Sequence, residues 1–386
     1  MATENNNKTL NVPNLRFPEF SEEWKSNELH KVASLSKGTG ISKDQLSDSG
    51  HPCILYGELY TKYKSEIIRE VYSKTQLDVA NLVKSHTNDV IIPCSGEAAI
   101  EIATARCVLI PEVLLGGDLN IIRLNGCYDG GFFAYQLNGK RKVDIAKVAQ
   151  GVSVVHLYGE HLKKVKVSYP SLKEQQKISS FLALLDERIA TQIKIIEKLE
   201  SLIKGLCSSL FDKNKYDSFV RLGDISEITN GNSDVQDASL SYSDGMYPFF
   251  DRSEDIKFLP EYLLDKEAII YPGEGSEFYP RYYNGKFALH QRCYAIYDIA
   301  PNFATRYLYF FCKTQNSYFV RNAVGSTVAS LRLDTFKRLN IPNIPIKLQK
   351  TYVQLLDKIE TKIVDNKTVL KKYEEQKRYL LSKMFI

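Results

Sequence analysis

The stretch LALLDERIATQIKIIEKLESLIKGL, residues 182–206, decides the architecture of this chain of 386 residues. Apolar side chains recur in it at alternating intervals of three and four positions, the spacing of an amphipathic helix with one narrow apolar seam. A second stretch, LDKIETKIVDNKTVLKKYEEQKRYL at residues 356–380, has the same spacing, with every position 174 residues after its counterpart. The two stretches predict long helices over roughly 173–207 and 347–384.

A helix with so narrow an apolar seam needs a partner helix, and the other copy is the nearest candidate. We therefore predict that the two helices pair as a coiled coil, the alternative being two unrelated surface helices. A polar residue at one seam position often fixes the register of pairing, and Gln192 and its counterpart Asn366 are placed to do this. Lys377, opposite Ile203 in the repeat, is the one poor match. The predicted seam consists of Leu182, Leu185, Ile189, Gln192, Ile196, Leu199, Leu356, Ile359, Ile363, Asn366, Leu370 and Tyr373.

Each helix follows a segment with globular composition, and the two segments resemble each other mainly at their starts. Leu29 leads to Gly38 as Leu222 leads to Gly231, both at an offset of 193 residues, while the interiors diverge. Short apolar runs separated by glycine and proline predict strands without a βαβ rhythm, at Asp89 to Pro93, Leu119 to Leu124, Ala268 to Tyr271 and Arg292 to Tyr297. The fold class is therefore α+β, with two heads and two long helices in an internal repeat. The predicted segments are 12–165 and 216–340 for the heads, and 166–215 and 341–386 for the helices.

Composition narrows the class of protein. Hydrophobic residues make up 44% of the chain and charged residues 25%, which is ordinary for a globular protein. Residues 1–11 are polar, without the apolar region of a signal peptide, and no stretch approaches the ~20 apolar residues of a membrane span. The seven cysteines are irregularly spaced and predict buried free thiols rather than disulfides or zinc. We therefore expect a cytoplasmic protein that does not engage a membrane.

The sequence offers no motif for catalysis. The Asn/Asp-Pro-Pro-aromatic motif of amino-methyltransferases is absent, and Gly38-Thr39-Gly40 is a lone G-x-G without a glycine-bearing helix start. The chain also lacks the G-x-x-x-x-G-K-[S/T] loop of an ATP-driven motor. His156 and His161 lie five positions apart without the spacing of a known zinc motif, so we predict no metal site there. We expect neither a catalytic residue nor a bound metal in this chain.

At this point the sequence resembles the specificity subunit of Type I restriction-modification systems over nearly its whole length. The resemblance rests on Pro13-Asn-Leu-Arg-Phe-Pro18 with Trp24, on the Gly-x-[Ser/Thr]-Val-x-x-Leu segments that begin at Gly151 and Gly325, and on the run Pro170-Ser-Leu-Lys-Glu-Gln-Gln-Lys-Ile178. The second copy of that run departs from the first, because Leu348 stands where the first has Glu174.

The resemblance implies two target-recognition domains, each reading half of a split site on double-stranded DNA. It also implies two methyltransferase subunits docked on the helices and motor-nuclease subunits in the assembly, which would bring S-adenosylmethionine, ATP and Mg. An antiparallel coiled coil suits this function, because it places the heads symmetrically along a duplex with approximate two-fold symmetry. The alternatives are a free-standing DNA-modifying or DNA-cleaving enzyme, and a coiled-coil adaptor whose heads bind protein.

Clusters of cations, aromatics and amides in both heads are typical of nucleic-acid faces, in which Lys and Arg contact phosphates and amides read base edges. The net charge of +5 permits such a partner without demanding it. The alternative is exposed turns with tyrosines packed on sheets. The candidate DNA-binding residues are Tyr60, Lys62, Lys64, Lys140, Arg141 and Lys142 in the first head, and Arg281, Tyr282, Tyr283, Lys286, Gln291 and Arg292 in the second.

Overall fold

A computed structural model describes residues 10–151 and 154–386. The expectation about a signal peptide rests mostly on residues 1–9, which lie outside the described residues, as do Val152 and Ser153 of the Gly151 segment. No helix in the described part of the chain is long and apolar enough to cross a membrane. Six of the seven cysteines are buried free thiols as expected, but Cys127 is exposed.

The chain folds into two compact units. Of the described residues, the first unit comprises 10–151, 154–194 and 368–386, and the second comprises 195–367. Both long helices contribute to both units, because the first helix spans Leu172–Leu210 and the second spans Ile346–Lys383. Each head therefore folds onto one part of each long helix.

The head of the first unit is built on a five-stranded sheet with the order Ala33–Lys37, Leu119–Leu124, Asp89–Pro93, Arg106–Val108 and Ile67–Ile68. A four-stranded sheet has the order Leu114–Leu115, His51–Ile54, Ser73–Thr75 and Leu46–Ser47. Two-stranded pairs join Lys25–Glu28 to Lys166–Tyr169 and Ser95–Gly96 to Val155–His156. The helices of this head are Glu58–Thr61, Ala99–Ile102, Gly130–Asn138, Lys142–Val148 and Gly159–Leu162.

The head of the second unit has a six-stranded sheet with the order Glu227–Asn230, Cys293–Tyr297, Leu264–Pro272, Arg281–Leu289, Tyr247–Phe250 and Lys257–Leu259. A two-stranded pair joins Phe219–Arg221 to Asn340–Pro342. The helices of this head are Leu222–Ile225, Thr305–Lys313, Asn316–Asn322 and Leu333–Lys337. Both heads are thus mixed α+β structures, and this prediction is confirmed.

The long helices are antiparallel, as predicted. In the first unit Leu182, near the start of the first long helix, shares a core with Leu380 and Met384 at the end of the second. In the second unit Ile203, near the end of the first long helix, shares a core with Leu356 at the start of the second. Of the twelve seam residues, Leu182, Leu185, Gln192, Ile196, Leu356, Ile359 and Ile363 are buried, and Ile189, Leu199, Asn366, Leu370 and Tyr373 are partly buried.

Each head closes with a strand immediately before its long helix. Lys166–Tyr169 pairs with Lys25–Glu28, and Asn340–Pro342 pairs with Phe219–Arg221. The sequence division placed residues 166–169 with the first helix, because helical periodicity gives no signal for a short strand that precedes a helix. In the structure this strand is part of the head, and the helix begins three residues later, at Leu172.

The internal repeat extends to a buried hydrogen bond that the sequence comparison did not reveal. In the first unit the hydroxyl of Tyr135 donates to Asp186 at 2.8 Å. In the second unit the hydroxyl of Tyr309 donates to Glu360 at 3.0 Å, and both of these residues lie 174 positions after their counterparts. Each bond joins a short head helix to a long helix, so both heads are fastened in the same way.

One glutamine at the start of each long helix also forms equivalent hydrogen bonds in the two units. The amide of Gln175 donates to the carbonyl of Pro170 at 2.9 Å, and the amide of Gln349 donates to the carbonyl of Ile344 at 2.9 Å. Each side-chain oxygen accepts from a backbone N–H beside the short head helix, Asp129 in one unit and Ala304 in the other. These bonds satisfy buried backbone groups at the turn between head and helix.

Gly38 and Gly231, which occupy equivalent positions near the starts of the two heads, are glycines for the same physical reason. A Cβ atom on Gly38 would lie 2.0 Å from the carbonyl oxygen of Gly116, and one on Gly231 would lie 2.0 Å from that of Leu289. Only glycine allows the backbone to approach so closely at these two places. The echo between Gly38 and Gly231 therefore reflects a structural constraint of the sheet rather than a phosphate-binding loop.

Candidate functional site

The first candidate cluster surrounds the short helix Glu58–Thr61. The ammonium of Lys62 lies 2.7 Å from the buried carboxylate of Glu58 and donates to Ser73 at 2.6 Å. Lys64 donates to the backbone carbonyl of Tyr60 at 2.7 Å, and both lysines are exposed. In the described part of the chain no carboxylate pairs with Lys64, which carries an exposed positive charge, whereas Glu58 partly neutralises Lys62.

A cleft of about 960 Å³ lies beside Lys62 in the same head. Its lining includes Lys43, Gln45 and Tyr56, which the sequence interpretation did not select. Lys43 and Gln45 belong to a single turn that Ser42 caps, with the Gln45 side-chain oxygen accepting from the backbone N–H of Ser42 at 2.9 Å. The S-x-x-Q capping box was the one local signal that could have located this turn.

The second cluster, Lys140 to Lys142, divides into exposed and structural members. Lys140 is exposed. Arg141 donates to the backbone carbonyl of Ile386 at 2.8 Å and lies 3.3 Å from Asp144, so its guanidinium ties the head to the last residue of the chain. Lys142 begins the helix Lys142–Val148 and is partly exposed. The surface charge here comes from the two lysines.

The third cluster does not form a turn. Arg281, Tyr282, Tyr283 and Lys286 all lie on the strand Arg281–Leu289, which pairs with Leu264–Pro272 over seven positions. The tyrosine rings pack as the alternative interpretation expected, with Tyr283 contacting Phe250 and Phe287. The second head therefore presents a strand where the alternative interpretation expected an exposed turn.

Two residues of this strand have internal partners. The hydroxyl of Tyr282 donates to Glu267 at 2.6 Å, and burial raises its pKa to about 12. The guanidinium of Arg281 donates to the backbone carbonyl of Ser253, while its second terminal nitrogen is buried without a partner among the described residues. Both side chains have structural contacts within the head.

Lys286 has the exposure and charge of a nucleic-acid contact. Its ammonium lies 4.8 Å from the ring centroid of Tyr262 and 5.8 Å from that of Tyr247. The two rings contact each other at 4.9 Å and hold the cation by cation–π attraction. The arrangement presents one cation flanked by aromatic faces.

Gln291 and Arg292 form the exposed turn between two strands of the second head. Gln291 donates to Asp234 at 3.2 Å, and Arg292 pairs with Glu274. Neither pair is buried, so solvent screens both and each side chain can leave its internal partner for a DNA group at little cost. These two residues match the donor types that read base edges in a groove.

The long helices expose apolar side chains away from their seam. Phe181 is 38% exposed and Leu184 is 60% exposed in the first unit. Leu355, the counterpart of Phe181 in the repeat, is 45% exposed in the second unit. Exposed apolar side chains clustered on one face mark interaction surfaces. Phe181 and Leu355 are thus exposed apolar side chains at equivalent positions of the two units, although the counterpart of Leu184 is Lys358.

The motif residues at the beginning of the chain bind the start of the first long helix. Arg16 holds the buried carboxylate of Glu174 with two hydrogen bonds, at 2.7 and 2.8 Å, and the indole N–H of Trp24 donates to it at 3.3 Å. At the corresponding position of the second long helix Leu348 is partly exposed. A buried glutamate needs a cation to offset its desolvation, and Arg16 supplies that cation to Glu174, whereas the leucine at position 348 needs none.

Among residues 10–151 and 154–386, no group of three His, Cys, Asp or Glu side chains is arranged to hold a metal ion. His156 lies 3.3 Å from the hydroxyl of Ser95, and the Nδ1 atom of His161 lies 3.1 Å from the carbonyl oxygen of Val148. The two histidines therefore have separate partners within the head.

Comparison with known proteins gives a consistent result. Residues 21–201 and 215–374 match the family model described as the Type I restriction modification DNA specificity domain. The fold is similar to that of a Type I restriction-modification S subunit from M. genitalium, with a TM-score of 0.70 at 16% identity over 97% of this chain and 99% of that one. It is also similar, with a TM-score of 0.52 at 14% identity over 94% and 97%, to a chain from a study of complex assembly in the type I R-M system.

Proposed function

Because the chain belongs to the Type I restriction modification DNA specificity family, we propose that each of its two heads reads one half of a split DNA target. The family is the non-catalytic component that recognises the DNA target. The proposal that each head reads one half of the target rests on a repeated hydrogen bond between head and long helix. Tyr135 with Asp186 and Tyr309 with Glu360 attach two different heads to equivalent positions of the helices. Two heads that attach to the long helices in the same way but differ in sequence are suited to the same function on two different DNA sequences.

In the second head, Lys286, Gln291 and Arg292 are the proposed DNA contacts. All three are exposed, and their internal partners are a carboxylate at the surface or a pair of aromatic rings. In the first head the corresponding candidates are Lys64 and Lys140, with Lys62 and the cleft beside it. Arg141 and Tyr282 contribute less in this proposal, because their polar atoms already have partners within the fold.

The partners in the proposal are two methyltransferase subunits and the motor-nuclease subunits that complete such an assembly. The exposed apolar side chains of Phe181 and Leu355, at equivalent positions of the repeat, support two equivalent docking sites, one in each unit. S-adenosylmethionine, ATP and Mg belong to those partners in this scheme. We place the assembly in the cytoplasm, where it has access to DNA.

Sequencing of methylated adenines in cells with and without the gene tests the proposal. We expect one split sequence to lose methylation when the gene is deleted. The purified chain alone should bind the corresponding duplex in a salt-dependent manner without methylating or cleaving it. Methylation or cleavage by the chain alone would favour a free-standing enzyme, and binding of protein but not of DNA would favour a coiled-coil adaptor.

A further inference from the structure

The one poor match in the helix repeat, Lys377, is the centre of a buried ionic cluster in the first unit. Its ammonium lies 2.6 Å from a carboxylate oxygen of Asp186 on the first long helix and 2.5 Å from one of Glu66 in the head. Both carboxylates are buried, and the side chain of Lys377 is only 16% exposed. The repeat counterpart of Lys377 is Ile203, a core residue of the second unit.

The cluster combines two cations, Lys377 and Arg106, with two carboxyl groups, Glu66 and Asp186. Burial raises the pKa of Glu66 above its ordinary value, although the charge of Lys377 opposes the shift. Burial alone would raise the pKa of Asp186, but Lys377 holds that pKa below its ordinary value. Two neighbouring carboxylates out of water need such cations, since an unpaired buried charge is strongly destabilising.

The second unit satisfies the equivalent carboxylate differently. Glu360 pairs with Arg306 and with Lys313, and both of these cations lie on the short head helix. In the first unit the cation comes from the second long helix. Among the described residues, the cation that pairs with this carboxylate therefore comes from the long-helix seam in the first unit and from the head helix in the second.

The cluster holds the segment that carries the first candidate DNA contacts. Glu66 lies two residues after Lys64, and the hydroxyl of Ser65 donates to Asp186 at 3.1 Å. Arg106 donates to the backbone carbonyl of Tyr63 at 3.0 Å. These two hydrogen bonds, together with the ion pair between Glu66 and Lys377, thus fix residues 63–66 to both long helices and to the head sheet.

We propose that Lys377 is a positioning residue for target recognition, because it fixes the segment of residues 60–66 against the helix pair. The inference rests on the proposed function of that segment as a DNA contact. It predicts that a residue near the end of the chain determines how accurately one half-site is read. The other half-site, read by the second head, should not depend on it.

The test uses the full chain assembled with its methyltransferase partner, and duplexes that carry one base change in one half-site or in the other. Lys377→Met should relax discrimination at one half-site about tenfold and leave the other as in the wild type. Lys377→Arg should retain discrimination, because it keeps the charge. Lys367→Met is the matched control, since Lys367 pairs with Glu200 at the surface of the second unit.

A second variant separates positioning from stability. Glu66→Gln combined with Lys377→Met removes one charge of each sign, so the remaining cluster is balanced and the chain should fold. It should still relax the same half-site, at a melting temperature closer to that of the wild type than that of Lys377→Met. Equal relaxation at both half-sites, or unchanged discrimination in a folded double variant, overturns the inference. A wild-type assembly without sequence preference would instead refute the proposed function itself.

Discussion

The hydroxyl of Tyr135 donates a 2.8 Å hydrogen bond to the carboxylate of Asp186, and this bond recurs 174 residues later between Tyr309 and Glu360. All four side chains lie where a head meets a long helix. Burial and the neighbouring carboxylate both raise the pKa of Tyr135, so it remains a donor across the physiological range. The two halves of the repeat thus share the hydrogen bond that attaches each head to a long helix, while the sequences of the heads diverge.

Removing either tyrosine hydroxyl should destabilise the unit that contains it. Tyr135→Phe and Tyr309→Phe should each lower the free energy of unfolding by about 1.5–3 kcal/mol, because each deletes a hydrogen bond to a charged group. Denaturant unfolding measures the effect, and Tyr379→Phe, at an exposed position, is the control. Wild-type stability in both variants would mean that the carboxylates do not depend on these bonds.

The kind of contact that Arg292 makes can be read from affinity. If Arg292 contacts a base, Arg292→Ala should weaken DNA binding by about 1–3 kcal/mol and relax specificity at one position. A phosphate contact would weaken binding to all sequences alike and reduce the salt slope by about one. Fluorescence anisotropy over a salt series distinguishes the two. Arg338→Ala, in the same head, serves as a control, and unchanged binding by Arg292→Ala would assign Arg292 a surface role only.

Docking of partner subunits should depend on the two equivalent exposed apolar side chains, Phe181 and Leu355. Phe181→Glu and Leu355→Glu should each reduce the number of bound methyltransferase subunits from two to one, and the double variant should bind none, because a charge is costly in an apolar interface. Native mass spectrometry counts the subunits, with Val143→Glu in the first head as the control. Two bound subunits in the double variant would place docking elsewhere.

The ionic cluster predicts a pH dependence for Lys377→Met. Without the lysine, burial raises the pKa of Glu66 and Asp186, while Arg106 is the remaining cation and Tyr135 and Asn138 the neutral neighbours. A carboxyl group whose pKa is raised on folding stabilises the folded state below its unfolded pKa, and this stabilisation is lost as the pH rises through the folded value.

The stability deficit of Lys377→Met relative to the wild type should therefore be largest near pH 8 and shrink toward pH 5. Thermal melting of both proteins over that range measures it, and Lys367→Met should follow the wild type throughout. A deficit that does not change with pH would show that lost packing, rather than unpaired charge, explains the effect.

The sequence predicted the parts of the fold that repeat locally. Helical periodicity located the long helices within a few residues, and apolar runs located strands such as Asp89–Pro93 and Leu119–Leu124. It did not predict the strand Arg281–Leu289, because Pro280 and Gly285 suggest a turn and the strand depends on pairing with Leu264–Pro272. The sequence marked Lys377 as the one poor match in the helix repeat but could not identify its partner, because Glu66 is 311 residues away in the chain.

Exchange of one head tests the central claim of two independent readers most directly. The closing strands place the boundaries of such an exchange at residues 25–169 for the first head and 219–342 for the second. Replacing residues 25–169 by those of a related chain, followed by sequencing of methylated adenines, should change one half of the methylated site and leave the other half intact. Replacing residues 219–342 should change the opposite half. A single exchange that alters both halves together would contradict the account.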